Sequence, residues 1–154
     1  MKIFKLFISI IICQLAGIIG AFFTTPNIDT WYQTIVRPDW TPASWVFAPV
    51  WITLYTLMGI ALFFVWEKKG SVNIKKAVSV FGFQLVLNSL WSIIFFGFNN
   101  IVLALAEIVF LLGAIVWTMV EFRKISRTAF YLLIPYLLWV CLATALNFNI
   151  WILN

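Results

Sequence analysis

Ile101-Val-Leu-Ala-Leu-Ala-Glu107-Ile-Val-Phe-Leu-Leu-Gly-Ala-Ile-Val-Trp-Thr-Met-Val-Glu121 is a run of apolar residues with a single ionisable side chain, Glu107, in its interior. A helix crossing bilayer hydrocarbon takes about 20 mainly apolar residues at a rise of about 1.5 Å each. A soluble helix of this length would instead show a polar face. Four further stretches have the same character, at 6–25, 45–66, 77–98 and 129–152. The whole chain of 154 residues is 64% hydrophobic and 10% charged, with a mean hydropathy of +1.07. Soluble domains are nearer half apolar and about a quarter charged, so so few charges cannot furnish a water-facing surface. The expected fold is therefore an all-α integral membrane bundle of five transmembrane helices in one domain, 1–154, with lipid as solvent for the outside.

The first stretch follows Lys2 and Lys5, as a signal peptide would. Its apolar run is longer than a signal core and no Ala-x-Ala site follows, so it is read as a retained span. With five spans the connections alternate sides. Nine of the ten Lys and Arg then fall on one side: Lys2, Lys5, Lys68, Lys69, Lys75, Lys76, Arg123, Lys124 and Arg127, against Arg37 alone on the other. The positive-inside bias predicts a cytoplasmic N-terminus and an outside C-terminus. The net charge of +5 is thus a topology signal, and nucleic acid is not an expected partner. The chain has no histidine, and Cys13 and Cys141 lie in apolar runs. They read as buried small hydrophobes, not as a disulfide or part of a metal site.

The long connection, 26–44, combines Trp31, Tyr32, Trp40, Pro38 and Pro42 with Asp29, Arg37 and Asp39. That is not the composition of a flexible linker. A long loop on a rigid scaffold suits a lid, with Trp31, Trp40 and Pro42 as its candidate residues. The competing reading is an interfacial aromatic belt. Thr41 before Pro42 predicts an N-cap with proline at N1 of the second span.

Polar groups inside spans are costly in lipid and tend to face the bundle. In the third span Gln84, Asn88, Trp91 and Phe95 share one helical face, with Ser92 alongside. In the fifth, Tyr136, Trp139, Ala143 and Asn147 form a stripe after Pro135, which is expected to bend the helix. The second span carries Trp51, Tyr55 and Met58 on one face, and Pro49 as another kink candidate. Such stripes also serve as interhelical packing and hydrogen-bonding glue, as do the small pairs Ala16/Gly20 and Gly17/Ala21 of the first span. By the helical rise, Trp51 and Glu107 lie roughly 9 Å, and Asn147 roughly 8 Å, below the first-loop end of their spans. These groups predict a cavity on that side, floored by Asn88 and Trp139, walled by Trp51 and Tyr55 and covered by the first loop. Large apolar walls with a few polar fixings describe a ligand pocket, and a flat aromatic guest would stack on the indoles. Glu107 reads as well as a neutral, hydrogen-bonded structural residue. There is no G-x-S-x-G and no P-loop, which leaves no conventional catalytic site and no ATP-driven transport by this chain alone.

Trp31-Tyr32, Arg37-Pro38-Asp39-Trp40-Thr41-Pro42, Trp45-Val46-Phe47-Ala48-Pro49-Val50-Trp51 with Leu54-Tyr55 and Met58-Gly59, Gln84-Leu85-Val86-Leu87-Asn88 with Trp91-Ser92, and Pro135-Tyr136-Leu137-Leu138-Trp139 before Ala143, Leu146 and Asn147 run through nearly the whole chain. Together they resemble the TspO/MBR family, the tryptophan-rich sensory or translocator proteins also called peripheral benzodiazepine receptors. The resemblance implies a five-helix protein, often dimeric, that binds porphyrins of the protoporphyrin IX type and benzodiazepine-type drugs. The ligand-binding set it supports here is Tyr32, Trp51, Tyr55, Asn88, Trp91, Ser92, Trp139, Ala143 and Asn147. A homodimer in a bacterial plasma membrane is implied, with porphyrin as ligand or substrate and no required cofactor. The cholesterol motif of animal members asks for Tyr and then a cation. Residues 146–154 contain neither, so sterol recognition by that motif is not expected. Two other functions stay open on the residues. One is light- and oxygen-dependent degradation of bound porphyrin with Trp51 and Trp139 as electron relays. The other is a structural or assembly role in which the aromatics only pack.

Overall fold

In lipid each apolar stretch must close its backbone hydrogen bonds within itself, and the helix is the form that does so. The computed structural model describes residues 2–68, 70 and 74–154. Lys69, counted in the charge asymmetry, lies outside the described residues. The helices are α1 (Lys2–Ile28), α2 (Trp31–Thr34), α3 (Ser44–Trp66), α4 (Ile74–Ser92, continued by a π-helical turn Ile93–Gly97), α5 (Ile101–Ile125), α6 (Arg127–Leu132) and α7 (Ile134–Leu153). Five stretches are long and apolar enough to cross a membrane: Lys2–Ile28, Ser44–Trp66, Ile74–Gly97, Ile101–Ile125 and Arg127–Leu153. Their outer faces carry bare aromatics such as Phe22, Trp45 and Phe110, which only a lipid environment accommodates without cost.

The spans close a ring, in which α1 packs on α3 and α4, α5 on α4 and α7, and α6 returns to α3. Small residues set the closest approaches. A Cβ at Gly59 would lie 2.5 Å from the Ile10 Cα, and one at Gly17 would lie 2.5 Å from the Tyr55 ring. The small-residue pattern of the first span is therefore used for packing. One end of the bundle is charged, with Lys5 paired to Glu67 at 3.0 Å, and Lys76 and Lys124 both on Glu121 at 3.0 and 2.9 Å. The other end carries the long loop.

Several local expectations are corrected. α1 runs through Pro26 to Ile28, so the connection is 29–43 and contains α2. Thr24, Asn27 and Thr30 each donate a side-chain hydrogen bond to the carbonyl four residues earlier, at 3.0, 2.9 and 2.8 Å. These bonds hold the last turns together where proline offers no donor. Thr41 is not the N-cap of α3. Its amide and hydroxyl both donate to the Pro38 carbonyl, at 3.0 and 2.6 Å, and the helix begins at Ser44 after an uncapped Ala43. The fifth span breaks at Leu133, and Pro135 stands at the start of α7, where its missing N–H is no loss. Cys13 is buried, but Cys141 is exposed on the lipid side.

The π turn at the end of α4 was not foreseen. Phe98 N–H donates to the Ile93 carbonyl at 2.9 Å, closing a five-residue step. Widening the turn brings the consecutive residues Phe95 and Phe96 both inside. A single π turn of this kind is often found beside functional sites. Asn99 then takes a left-handed φ of 52°, and Asn100 caps α5 by accepting the Leu103 N–H at 2.9 Å.

Candidate functional site

At the loop end of the bundle, side chains from α2, α3, α4 and α7 enclose a narrow cleft with a free volume of about 30 Å³. Its walls are Phe47 from α3, Trp91, Phe95 and Phe96 from the end of α4, and Trp139, Leu142, Ala143, Leu146, Asn147 and Ile150 from α7. Tyr32 and Pro42 of the connection close the top. Trp91 stacks on Phe95 with centroids 5.0 Å apart, Phe95 meets Phe96 edge-on at 4.9 Å, and Phe47 meets Trp139 edge-on at 6.0 Å. The rings touch one another, so a guest enters by parting them. Ala143 is the small residue of the α7 wall, one turn from Trp139.

Trp91 and Asn147 already spend their polar atoms within the protein. The Trp91 indole donates to Asn147 Oδ1 at 3.2 Å, and Asn147 Nδ2 donates to the Ile101 carbonyl at 3.1 Å. The interior surface presented to a guest is accordingly aromatic and aliphatic carbon.

One turn deeper lies a buried polar layer, in which the Gln84 Nε2 alone has no partner among the described residues. The Tyr55 hydroxyl donates to Asn88 Oδ1, Asn88 Nδ2 donates to the Tyr136 hydroxyl at 2.9 Å, and that hydroxyl donates to Gln84 Oε1 at 2.9 Å. Trp51 covers the layer, stacked on Tyr55 at 5.4 Å and edge-on to Tyr136 at 6.3 Å. Asn88 and Tyr55 satisfy each other here instead of lining the cleft. Ser92 faces α1, where a Cβ on Gly20 would come within 3.1 Å of its hydroxyl. Of the residues singled out from the sequence, the cleft thus brings together Tyr32, Trp91, Trp139, Ala143 and Asn147, with Pro42 from the loop. Trp51, Tyr55, Asn88 and Ser92 stand outside its lining. Glu107 is buried and away from the cleft. The hydrogen bonding expected of it is not seen: neither carboxyl oxygen has a partner among the described residues.

The connection is held over the cleft at both of its faces. Trp31 packs edge-on against Phe95 at 5.4 Å, and Tyr32 is buried against the same ring at 6.2 Å. Burial pushes the Tyr32 hydroxyl above its ordinary pKa, against the opposing pull of Arg37, so Tyr32 is neutral at ordinary pH. Beyond it, the Asn154 side chain makes a paired clasp with the Val36 backbone: Val36 N–H donates to Oδ1 at 2.9 Å, and Nδ2 donates to the Val36 carbonyl at 2.8 Å. Trp40 is exposed and is not part of the cleft lining. Sequence reasoning passed over Phe47, Phe96, Leu142 and Ile150. Phe47 and Ile150 could have been found, since they extend the Trp51 and Asn147 stripes by one turn. Phe96 carried no signal, because it faces inward only through the π turn.

Residues 9–152 match the profile of the TspO/MBR family. The chain is 42% identical over 154 residues to the tryptophan-rich protein TspO of Archaeoglobus fulgidus, covering 100% of this chain and 99% of the relative. It is 42% identical over 157 residues to the protein of the same name in Chlorobaculum tepidum, with 99% and 98% covered. To the human translocator protein it is 37% identical over 141 residues, with 90% and 83% covered.

Proposed function

The chain belongs to the TspO/MBR family, and from that premise we propose that its aromatic cleft binds porphyrins of the protoporphyrin IX type and benzodiazepine-type drugs. The observation that carries the reading is the cleft itself, with two indoles and three phenyl rings on its walls and the polar atoms of Trp91 and Asn147 paired within the protein. Such walls reward a flat apolar guest by ring stacking, at about 0.5–1.5 kcal/mol for each good aromatic pair beyond area burial, and offer little to a polar one. Binding serves tetrapyrrole sensing or transport. The charged end faces the cytoplasm by the positive-inside bias, and the cleft opens outward from a bacterial plasma membrane. The protein acts as a homodimer in this reading.

The test is a dark titration of the detergent-solubilised protein with protoporphyrin IX, followed by tryptophan fluorescence and porphyrin absorbance, beside Trp139→Phe. Saturable binding weakened several-fold by the substitution is expected. Non-saturable partitioning, equal in both proteins, would defeat the reading and favour a packing role for the aromatics. A second reading, oxidation of the bound porphyrin by oxygen under light, draws on the placement of Trp139 in the cleft wall and of Trp51 stacked on Tyr55 one turn below. It requires light-dependent loss of porphyrin absorbance that Trp51→Phe and Trp139→Phe suppress. The same loss in detergent without protein would rule it out.

A further inference from the structure

The apolar cleft adjoins a second, polar one. Gln33, Arg37, Asp39, Thr41 and Ser44 line an open hollow of about 430 Å³ between α2 and the start of α3. Pro42 belongs to the linings of both. Arg37 joins them in another way: its guanidinium lies 4.6 Å over the centroid of the Tyr32 ring, and Tyr32 is a wall of the apolar cleft. One aromatic ring therefore separates the only cation among the described residues at this end from the space where a flat guest would lie. No other Lys or Arg occurs from residue 6 to 67, from 77 to 122 or from 128 to 154.

The guanidinium is held ready. Arg37 Nη2 donates to Gln33 Oε1 at 2.9 Å, and the cation–π contact with Tyr32 holds it from the other side. Guanidinium carries five donors in a rigid fork, and the contacts with Gln33 and Tyr32 engage only part of it. Donors remain for an anion in the polar cleft that Arg37 lines. Arginine placed this way reads carboxylates in two-point fashion, and a half-buried site at the membrane edge screens the charge less than open water does. Asp39 lines the same hollow, exposed, and no ion pair joins it to Arg37.

The geometry points to Arg37 as the reader of a carboxylate on the edge of the guest. On this assignment the ligand class is a flat apolar body with an anionic arm, the body between the rings of the aromatic cleft and the arm across Tyr32 in the polar hollow. The inference deepens the reading of the aromatic cleft as a ligand site and rests on it.

The experiment titrates four proteins in the dark: wild type, Arg37→Gln, Arg37→Lys and Asp39→Asn. Each receives protoporphyrin IX and, separately, its dimethyl ester, which keeps the ring and removes both carboxylates. Wild type is expected to bind the acid more tightly than the ester by about tenfold, the scale of one charge-assisted hydrogen-bonded pair. That preference should shrink as salt is raised. Arg37→Gln should abolish the preference while leaving ester affinity within about twofold of wild type. Arg37→Lys should keep part of it, and Asp39→Asn should increase it. Equal binding of acid and ester by wild type overturns the carboxylate assignment and leaves the aromatic cleft standing. An Arg37→Gln variant that loses acid and ester alike also overturns it, since Arg37 would then act only by holding the loop. Saturable binding of neither compound by wild type fails the cleft reading, and this inference with it.

Discussion

Asn88→Leu separates a structural layer from a ligand contact. Asn88 is 3% exposed and stands between two tyrosines, accepting from Tyr55 and donating to Tyr136. Leucine has a similar volume, so no large cavity is opened. The Tyr55 hydroxyl is left buried without an acceptor, at about 1–3 kcal/mol, and a neutral hydrogen bond to Tyr136 is lost, at about 1 kcal/mol. Side-chain hydrogen bonds in membrane bundles average nearer 0.6 kcal/mol, which pulls the sum toward about 2 kcal/mol. For a chain of this length that corresponds to a fall in Tm of about 4–8 °C, read in detergent by thermal unfolding. Tyr55→Phe removes the stranded donor, so the double variant should recover about 1 kcal/mol relative to additivity. Porphyrin affinity, measured well below the lowered Tm, should change by less than about threefold, because the layer lies one turn below the cleft. An unchanged Tm combined with a tenfold loss of affinity would refute the assignment and put Asn88 in contact with the guest.

Gly59→Ala would drive a Cβ to 2.5 Å from the Ile10 backbone and should cost about 1–3 kcal/mol. Gly113→Ala, with nothing within 4 Å, should be neutral or stabilising by up to about 1 kcal/mol. Equal effects of the two on Tm would mean that α1 and α3 do not meet as described. Glu107→Met replaces a buried carboxyl without hydrogen-bond partners by an apolar side chain of similar length. It should raise stability by about 1 kcal/mol or more, and a clear fall in Tm would show that the carboxyl has a partner in the membrane. Asn154→Ala removes the clasp on Val36. Amide exchange at residues 29–43 should accelerate while the spans keep their protection, and an unchanged exchange pattern would show that the loop is held by Trp31 and Tyr32 alone.

Much of the architecture was legible in the residues because it follows from solvent. Twenty apolar residues in a row have one stable form in hydrocarbon, and five such rows prescribe five spans whatever their neighbours. Helical periodicity likewise put Trp139, Ala143 and Asn147 on one face of α7, and Tyr136, one turn earlier on that stripe, in the interior. The charge asymmetry of the connections is a property of composition alone.

What periodicity cannot supply is the partner. Asn88 and Trp91 sit one turn apart on α4, yet Asn88 meets Tyr55 and Tyr136 while Trp91 meets Asn147 and Phe95. That difference depends on how far α3 and α7 are rotated and offset along α4, which helix packing decides. The π turn that brings both Phe95 and Phe96 inward is a local rearrangement of backbone hydrogen bonds whose benefit comes from the rings it places under Trp31 and Tyr32. The end of α1 beyond Pro26 depends on three side chains returning to carbonyls of their own helix. Solvent and periodicity act along the chain and can be read from the sequence. Rotation, depth and mutual satisfaction of polar groups arise between helices, and only the tertiary structure decided them.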